Sequence, residues 1–311
     1  MELKSSFKLS LIFLLVSAPA SIAFAECGMC TFSGFTLGLG LGANTFMTNV
    51  TNNTELASFD TVDLPGIVEP IGNVYNNYTS ANIYKFGPMG ALFVGYGNVF
   101  DNHTYLGAEL GLNFLGASQT TLRSIPTSVP TITSDDTITN TFGYGTYDAS
   151  LSTRTKITRN TVEPFLDIKA GWLITPTALV YLRGGINYNS IKTHTNTNFN
   201  VTGTEEFVSE GEDILTTATT SSSLSSSKKQ NMIGFRAGIG GEVMVTPELG
   251  VGADYVYSFY RNLNTSTSGD ATDVACDTLE GCIVIPATIT NNAKAKLSDQ
   301  QVMAQLIYHF G

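Results

Sequence analysis

The stretch Phe35-Thr36-Leu37-Gly38-Leu39-Gly40-Leu41-Gly42-Ala43 alternates strictly, with Phe35, Leu37, Leu39, Leu41 and Ala43 on one side and Thr36, Gly38, Gly40 and Gly42 on the other. Side chains of a strand point to opposite faces in turn, so this period of two reads as a β-strand with one apolar face and one small or polar face. About ten such residues are what a tilted strand needs to cross a bilayer.

Seven further segments repeat the pattern. Leu92, Val94 and Tyr96 oppose Gly95 and Gly97, and Leu106, Ala108, Leu110, Leu112 and Phe114 oppose Gly107, Glu109, Gly111 and Asn113. Leu166, Ile168, Ala170 and Trp172 face away from Asp167, Lys169 and Gly171, while Val180, Leu182, Ile186 and Tyr188 face away from Arg183, Gly185 and Asn187. The sixth segment sets Ile233, Phe235, Ala237 and Ile239 against Arg236, Gly238, Gly240 and Glu242. The seventh sets Leu249, Val251, Ala253, Tyr257 and Phe259 against Gly250, Gly252, Asp254 and Ser258. In the last, Val302, Ala304, Leu306, Tyr308 and Phe310 oppose Gln301, Met303, Gln305 and His309.

The connections alternate in length. Short turns are expected at 98–102, Thr175-Pro176-Thr177 and Thr246-Pro247-Glu248, and long polar stretches at about 45–84, 116–155, 191–230 and 261–296. Short turns at one end and long loops at the other are the pattern of an outer-membrane barrel. A soluble sandwich or barrel shares the alternation, but a solvated face this rich in glycine would weaken the strands with no gain in packing. A narrow barrel interior has room for only some large side chains, so there the glycines have a use. The expected fold is therefore all-β, a transmembrane antiparallel up-and-down barrel of eight strands with four long extracellular loops. Segments such as 142–155 could add strands to that number. The aromatics agree with a membrane: Tyr96, Trp172, Tyr308 and Phe310 fall near the short turns and Phe114, Tyr188 and Phe259 about ten residues up, as two girdles would.

The ends of the chain fit this destination. Residues 1–25 run from Lys4 and Lys8 through an apolar Leu9–Val16 to Ala23-Phe24-Ala25, the order of a cleavable secretory signal, which leaves 26–311 as a single barrel domain. No later stretch is long and apolar enough for a membrane helix, which takes about 20 residues. The formal net charge is −10, so nucleic acid is not an expected partner. Cysteines come in two close pairs, Cys27 with Cys30 and Cys276 with Cys282, which in an exported chain read as two local disulfides. A redox or zinc role for Cys27-Gly28-Met29-Cys30 would need a second ligand pair or a strand–helix context, and neither is nearby.

Strands, turns and girdles together resemble the small eight-stranded barrels of the outer-membrane protein A transmembrane-domain and opacity-protein type, over the whole mature chain. The resemblance is most specific at Gln301–Phe310, where alternating apolar residues closing on Tyr308 and Phe310 look like the signal that the family presents to its barrel-assembly machinery. Gly311 after that Phe departs from the pattern. The resemblance implies a Gram-negative outer membrane, with its lipid and lipopolysaccharide as surroundings.

Function is less legible. Glu109, Lys169, Arg183, Glu242 and Asp254 fall at one height on luminal faces, with Asp167 and Arg236 somewhat higher. Charges in a narrow interior persist when paired, so they read as a network that seals the barrel or, alternatively, as the gate of a narrow channel for small solutes. A wide pore generally needs about 16 strands. Catalysis is not expected: His103, His194 and His309 lack a serine or acidic partner at the spacing general-base chemistry requires. No metal or cofactor site is apparent. The Thr-, Ser- and Asn-rich loops, including Thr216–Ser227, look unable to bury a core of their own, while their proximal parts, for example Thr193–Val201, alternate well enough to extend the hairpins beyond the membrane. Their exposure suits a structural and surface role, with host surface molecules as expected partners.

Overall fold

The computed structural model describes residues 32–58, 74–100, 103–123, 127–129, 134–135, 143–209, 212–277 and 281–310. Its strands are β1 Gly34–Ser58, β2 Val74–Phe100, β3 Thr104–Leu115, β4 Gln119–Arg123, β5 Thr127–Val129, β6 Ser134–Asp135 and β7 Gly143–Arg159. They continue as β8 Val162–Thr175, β9 Ala178–Ser209, β10 Glu212–Met244, β11 Leu249–Tyr260, β12 Leu263–Asp277 and β13 Gly281–Phe310.

Eight of these close a ring of antiparallel pairs in the order β1, β2, β3, β8, β9, β10, β11, β13 and back to β1. Register partners followed once round from Phe35 pass through Tyr96, Ala108, Ile168, Gly184, Ala237, Tyr257 and Gln300, and return to β1 at Thr45, ten residues along. Eight strands with that stagger fix a tilt of about 40° and a backbone radius of about 8 Å. So narrow a cylinder leaves room for one layer of side chains at each level.

The alternation settles which face is which. The apolar positions of all eight segments point outward: Leu41 is 77% exposed and Leu182 64%, figures that only a lipid surround makes affordable. Tyr96, Trp172, Tyr308 and Phe310 ring the end that carries the short turns, and Phe114, Tyr188 and Phe259 ring the other. Phe35 stacks edge-on to Tyr96, Tyr308 does so to Phe310, and Phe235 lies against Phe259. The inward glycines admit neighbours' side chains: a Cβ at Gly38 would stand 2.1 Å from the ring of Phe93, and one at Gly185 would stand 2.2 Å from Asp167 Oδ1.

The long stretches extend the hairpins beyond the membrane, as the alternation at Thr193–Val201 suggests, and they do so well past that proximal part. They are strands over most of their length: β9 spans 32 residues and β10 33, where the apolar band takes about ten. Beyond the outer girdle the ring parts into two facing sheets, β12-β13-β1-β2 and β4-β7-β9-β10, with β5 and β6 laid on β7. One seam opens between β2 and β4 above the bond from Gly116 N–H to the Pro88 carbonyl, 2.7 Å. The other, between β10 and β12, is bridged by side chains, with Thr220 and Thr272 hydroxyls 2.5 Å apart and Thr272 N–H donating to Ser222 Oγ at 3.0 Å. Residues 143–155 belong to β7 in this extension and add no strand to the membrane ring.

The facing sheets have a core after all. Phe46, Val50, Ile157, Ile191, Met232 and Leu297 form one apolar cluster, and Leu151, Phe199, Val201, Ala271, Ala287 and Ile289 a second one further out. Ala218 and Leu224, both within the Thr/Ser run, pack on the second. Threonine is β-branched and fits a pleated surface on either face, so the composition that suggests a loop also makes a good strand once another sheet covers it.

Candidate functional site

The lumen is filled in levels. At the end with the short turns His309 Nε2 sits 2.5 Å from Glu242 Oε1, and Phe32 packs edge-on to the imidazole at 5.8 Å. Tyr105, Leu179 and Met244 close the surrounding space. Glu242 thus stands with His309 below the main charged layer, not within it as its strand position suggests.

The next level centres on Arg183, which is delivered by β9 and 3% exposed. Its Nε donates to Asp167 Oδ2 at 2.8 Å, one terminal nitrogen reaches Glu109 Oε1 at 2.6 Å, and the other pairs with Asp254. Lys169 Nζ lies 2.5 Å from Glu109 Oε2. Tyr181 Oη donates to Asp254 Oδ1 at 2.5 Å and Gln305 Nε2 to Oδ2 at 2.7 Å. Arg236 completes the group, with Nε 3.3 Å from Asp167 Oδ2 and its guanidinium over the Phe165 ring at 4.2 Å. Three carboxylates therefore face three cations, and each carboxylate has at least one. The structure brings together six of the seven luminal charges expected from the sequence.

A second polar level lies above. Glu163 accepts from Tyr260 Oη at 2.5 Å and from Asn189 Nδ2 at 3.1 Å, while Asn113 and Gln301 stand at 3.4 and 3.5 Å. Arg159 binds Asp299 at 3.0 Å and the Ala117 carbonyl at 2.9 Å, and it caps the Phe46 ring at 4.3 Å. Sequence reasoning missed Glu163, Arg159 and Asp299. The signal was present, since Glu163 and Asp299 share parity with Asp167 and Gln301, but Pro164 interrupts the apolar face and hides the continuation. Above this level come the first apolar cluster, then a ladder of Asn52, Thr54, Thr153, Thr155, Thr195 and Asn291 hydrogen-bonded across the sheets, then the second cluster.

The remaining candidates are scattered. His103 is in the turn before β3 and stacks on Trp172 at 5.7 Å, outside the barrel, and His194 is exposed on β9. Among the described residues no three metal-ligating side chains converge. Cys276 and Cys282 are opposite each other in the β12–β13 register, while Cys27, Cys30 and the whole of 1–25 lie outside the described residues.

A closed ring with lipid-compatible residues outside and polar ones inside defines a transmembrane β-barrel of the outer-membrane class. The chain belongs to the family described as outer membrane protein beta-barrel domain, whose pattern it matches over residues 10–274. Among curated protein sequences none matches it. The solved structures similar to it include the outer membrane protease OmpT from Escherichia coli, at 12% identity and TM-score 0.31, covering 89% of this chain and 97% of that one. Neisserial surface protein A is similar at 10% identity and TM-score 0.24, with 85% and 97% covered. The attachment invasion locus protein Ail of Yersinia pestis is similar at 10% identity and TM-score 0.20, with 83% and 98% covered.

Proposed function

We propose that this chain is a non-enzymatic, non-conducting outer-membrane barrel that presents a rigid surface for contact outside the cell. The observation that carries this reading is the extension: four hairpins continue past the outer girdle and pack as two sheets with their own apolar core. A structure that stiff, held well clear of the bilayer, suits recognition by a host-cell surface better than it suits solute passage. Two charged levels and two apolar clusters stacked along one axis support a sealed lumen. Residues 1–25 would direct export as a cleaved signal, the Tyr308–Phe310 end would engage the assembly machinery, and Cys276 and Cys282 would form a disulfide.

Two measurements test this. Refolded mature protein in planar bilayers is expected to give no stable single-channel current, and a steady conductance would overturn the sealed reading. Gram-negative cells displaying the full chain are expected to adhere to epithelial monolayers several-fold better than cells displaying a barrel whose hairpins are shortened to the outer girdle. Equal adhesion at equal surface display would remove the recognition role.

One observation favours a gated channel as the second reading. Arg236 is buried beside Asp167, yet among the described residues none of its guanidinium nitrogens has a hydrogen-bond partner. A cation held mainly by charge and a ring face is the natural point for such a layer to loosen.

A further inference from the structure

Charge is sorted by height on this barrel. Lys4 and Lys8 apart, four of the cations, Arg159, Lys169, Arg183 and Arg236, are buried in the lumen. The others whose side chains are described all reach the surface, and they do so in one narrow zone. On one side of it stand Arg154 and Lys156 of β7, Lys192 of β9 and Lys229 of β10; Lys192 and Lys229 are register partners, and Lys156 is opposite His194. Lys228, also on β10, reaches over the β10–β12 seam to donate from Nζ to the Asn264 carbonyl at 3.4 Å, and across that seam follow Arg261, Lys294 and Lys296. Lys85 is exposed at the other seam.

The zone begins where the apolar band stops. Arg261 follows Phe259 by two residues and Lys192 follows Tyr188 by four, while Lys229 precedes Phe235 by six on a strand running the opposite way. With the stagger of the ring allowed for, these cations share a belt about 10 Å tall that starts roughly 5 Å above the outer aromatics. In the sequence, the stretches 51–84, 124–153, 193–227 and 262–293 contain Asp and Glu but no Lys or Arg. Among the described residues every ion pair is luminal, so no carboxylate neutralises the belt.

Like charges gathered on one surface repel one another unless a counter-charge is supplied. Chance placement would scatter cations along the extension, yet the only height that holds them is the one a leaflet's headgroups occupy when the apolar band is in the hydrocarbon. We propose that the belt binds the phosphate groups of glycolipid headgroups in the outer leaflet, with Lys156, Lys192 and Lys229 as one holding patch and Lys228, Arg261 and Lys296 as its continuation. Ammonium and guanidinium groups are the usual protein partners of phosphate, and attraction to an anionic leaflet falls off within a Debye length, which is about the height of the belt. This site rests on the membrane placement of the band and names what that placement brings into contact with the protein.

The test uses the mature full chain refolded in phosphatidylcholine vesicles, with labelled lipid A and its dephosphorylated form as probes. The parent is expected to bind the phosphorylated form roughly tenfold or more tightly than the dephosphorylated one, with a preference that shrinks as salt rises. The triple variant Lys156→Gln, Lys192→Gln, Lys229→Gln is expected to lose most of that preference while inserting as the parent does. Equal binding of the two probes by the parent, or an unchanged preference in the variant, overturns the proposal. So does displacement of lipid A by inorganic phosphate at low millimolar concentration, which would assign the belt to the free anion. Protease protection of the strands in pure phosphatidylcholine reports on the membrane placement separately, because it does not require the belt.

Discussion

Arg183→Ala is expected to destabilise the barrel by roughly 3–5 kcal/mol, the usual consequence of removing one partner from a buried ion pair. Arg183 is the shared partner of Glu109, Asp167 and Asp254, so its loss leaves three carboxylates facing Lys169 and Arg236 alone. Those carboxylates have poor access to water, and their mutual repulsion is weakly screened in a narrow lumen. The measurement is the urea midpoint for unfolding from detergent micelles or thin bilayers, compared with Arg183→Lys, which keeps the charge but loses the fork. The lysine variant should fall between parent and alanine. A shift of under about 1 kcal/mol for alanine would mean that the level is hydrated or that Arg236 replaces Arg183. The same variant in planar bilayers is expected to show intermittent small conductance where the parent is silent.

Phe199→Ala carries the second large effect, and it should be confined to the extension. Phe199 is completely buried in the outer apolar cluster, between β9 and the sheet that carries Ala271, Ala287 and Ile289. Truncating a buried Phe typically costs about 3–5 kcal/mol, through lost transfer energy and the cavity left behind. That level is far from the charged layer, so the membrane ring should stay folded while the two sheets separate locally. Limited digestion with proteinase K is the readout. The parent should resist, whereas the variant should be cut within 143–209 and 212–277 down to a bilayer-protected core that still migrates as a folded barrel in cold SDS gels. Identical digestion patterns would show that the facing sheets do not depend on this cluster.

Much of the luminal site was readable because parity is a local property. Once Leu166, Ile168 and Trp172 are placed outward, Asp167 and Lys169 must point inward, and the same holds for Arg183 between Leu182 and Gly184. Parity gives the face, and height along the strand gives an approximate level. It does not give the partner across the barrel, because that depends on the stagger of all eight strands together. Glu242 illustrates this: its position suggested the main layer, and the actual register sets it beside His309. Glu163 and Asp299 were hidden for a different reason, a proline and a polar continuation that end the apolar signal before the luminal one ends.

By itself the sequence determined that the chain crosses a membrane as strands and which side of each meets lipid, whereas the closure of the ring at eight came from the structure, which puts 143–155 outside it. Lipid enforces that information residue by residue, since every outward position in the band must be apolar and every short turn must reverse the chain. Only the tertiary structure decided how far the long polar stretches run as strands and that they acquire a core. Leu151, Phe199, Ala271 and Ile289 come from four separate strands, and nothing along the chain shows that they meet. They are buried only because the closed ring below holds the hairpins in register and brings two sheets face to face, so that Thr and Asn exchange water for one another's hydrogen bonds. The cationic belt has the same origin, since residues as distant as Lys156 and Lys296 share one height only after the stagger of the barrel is fixed.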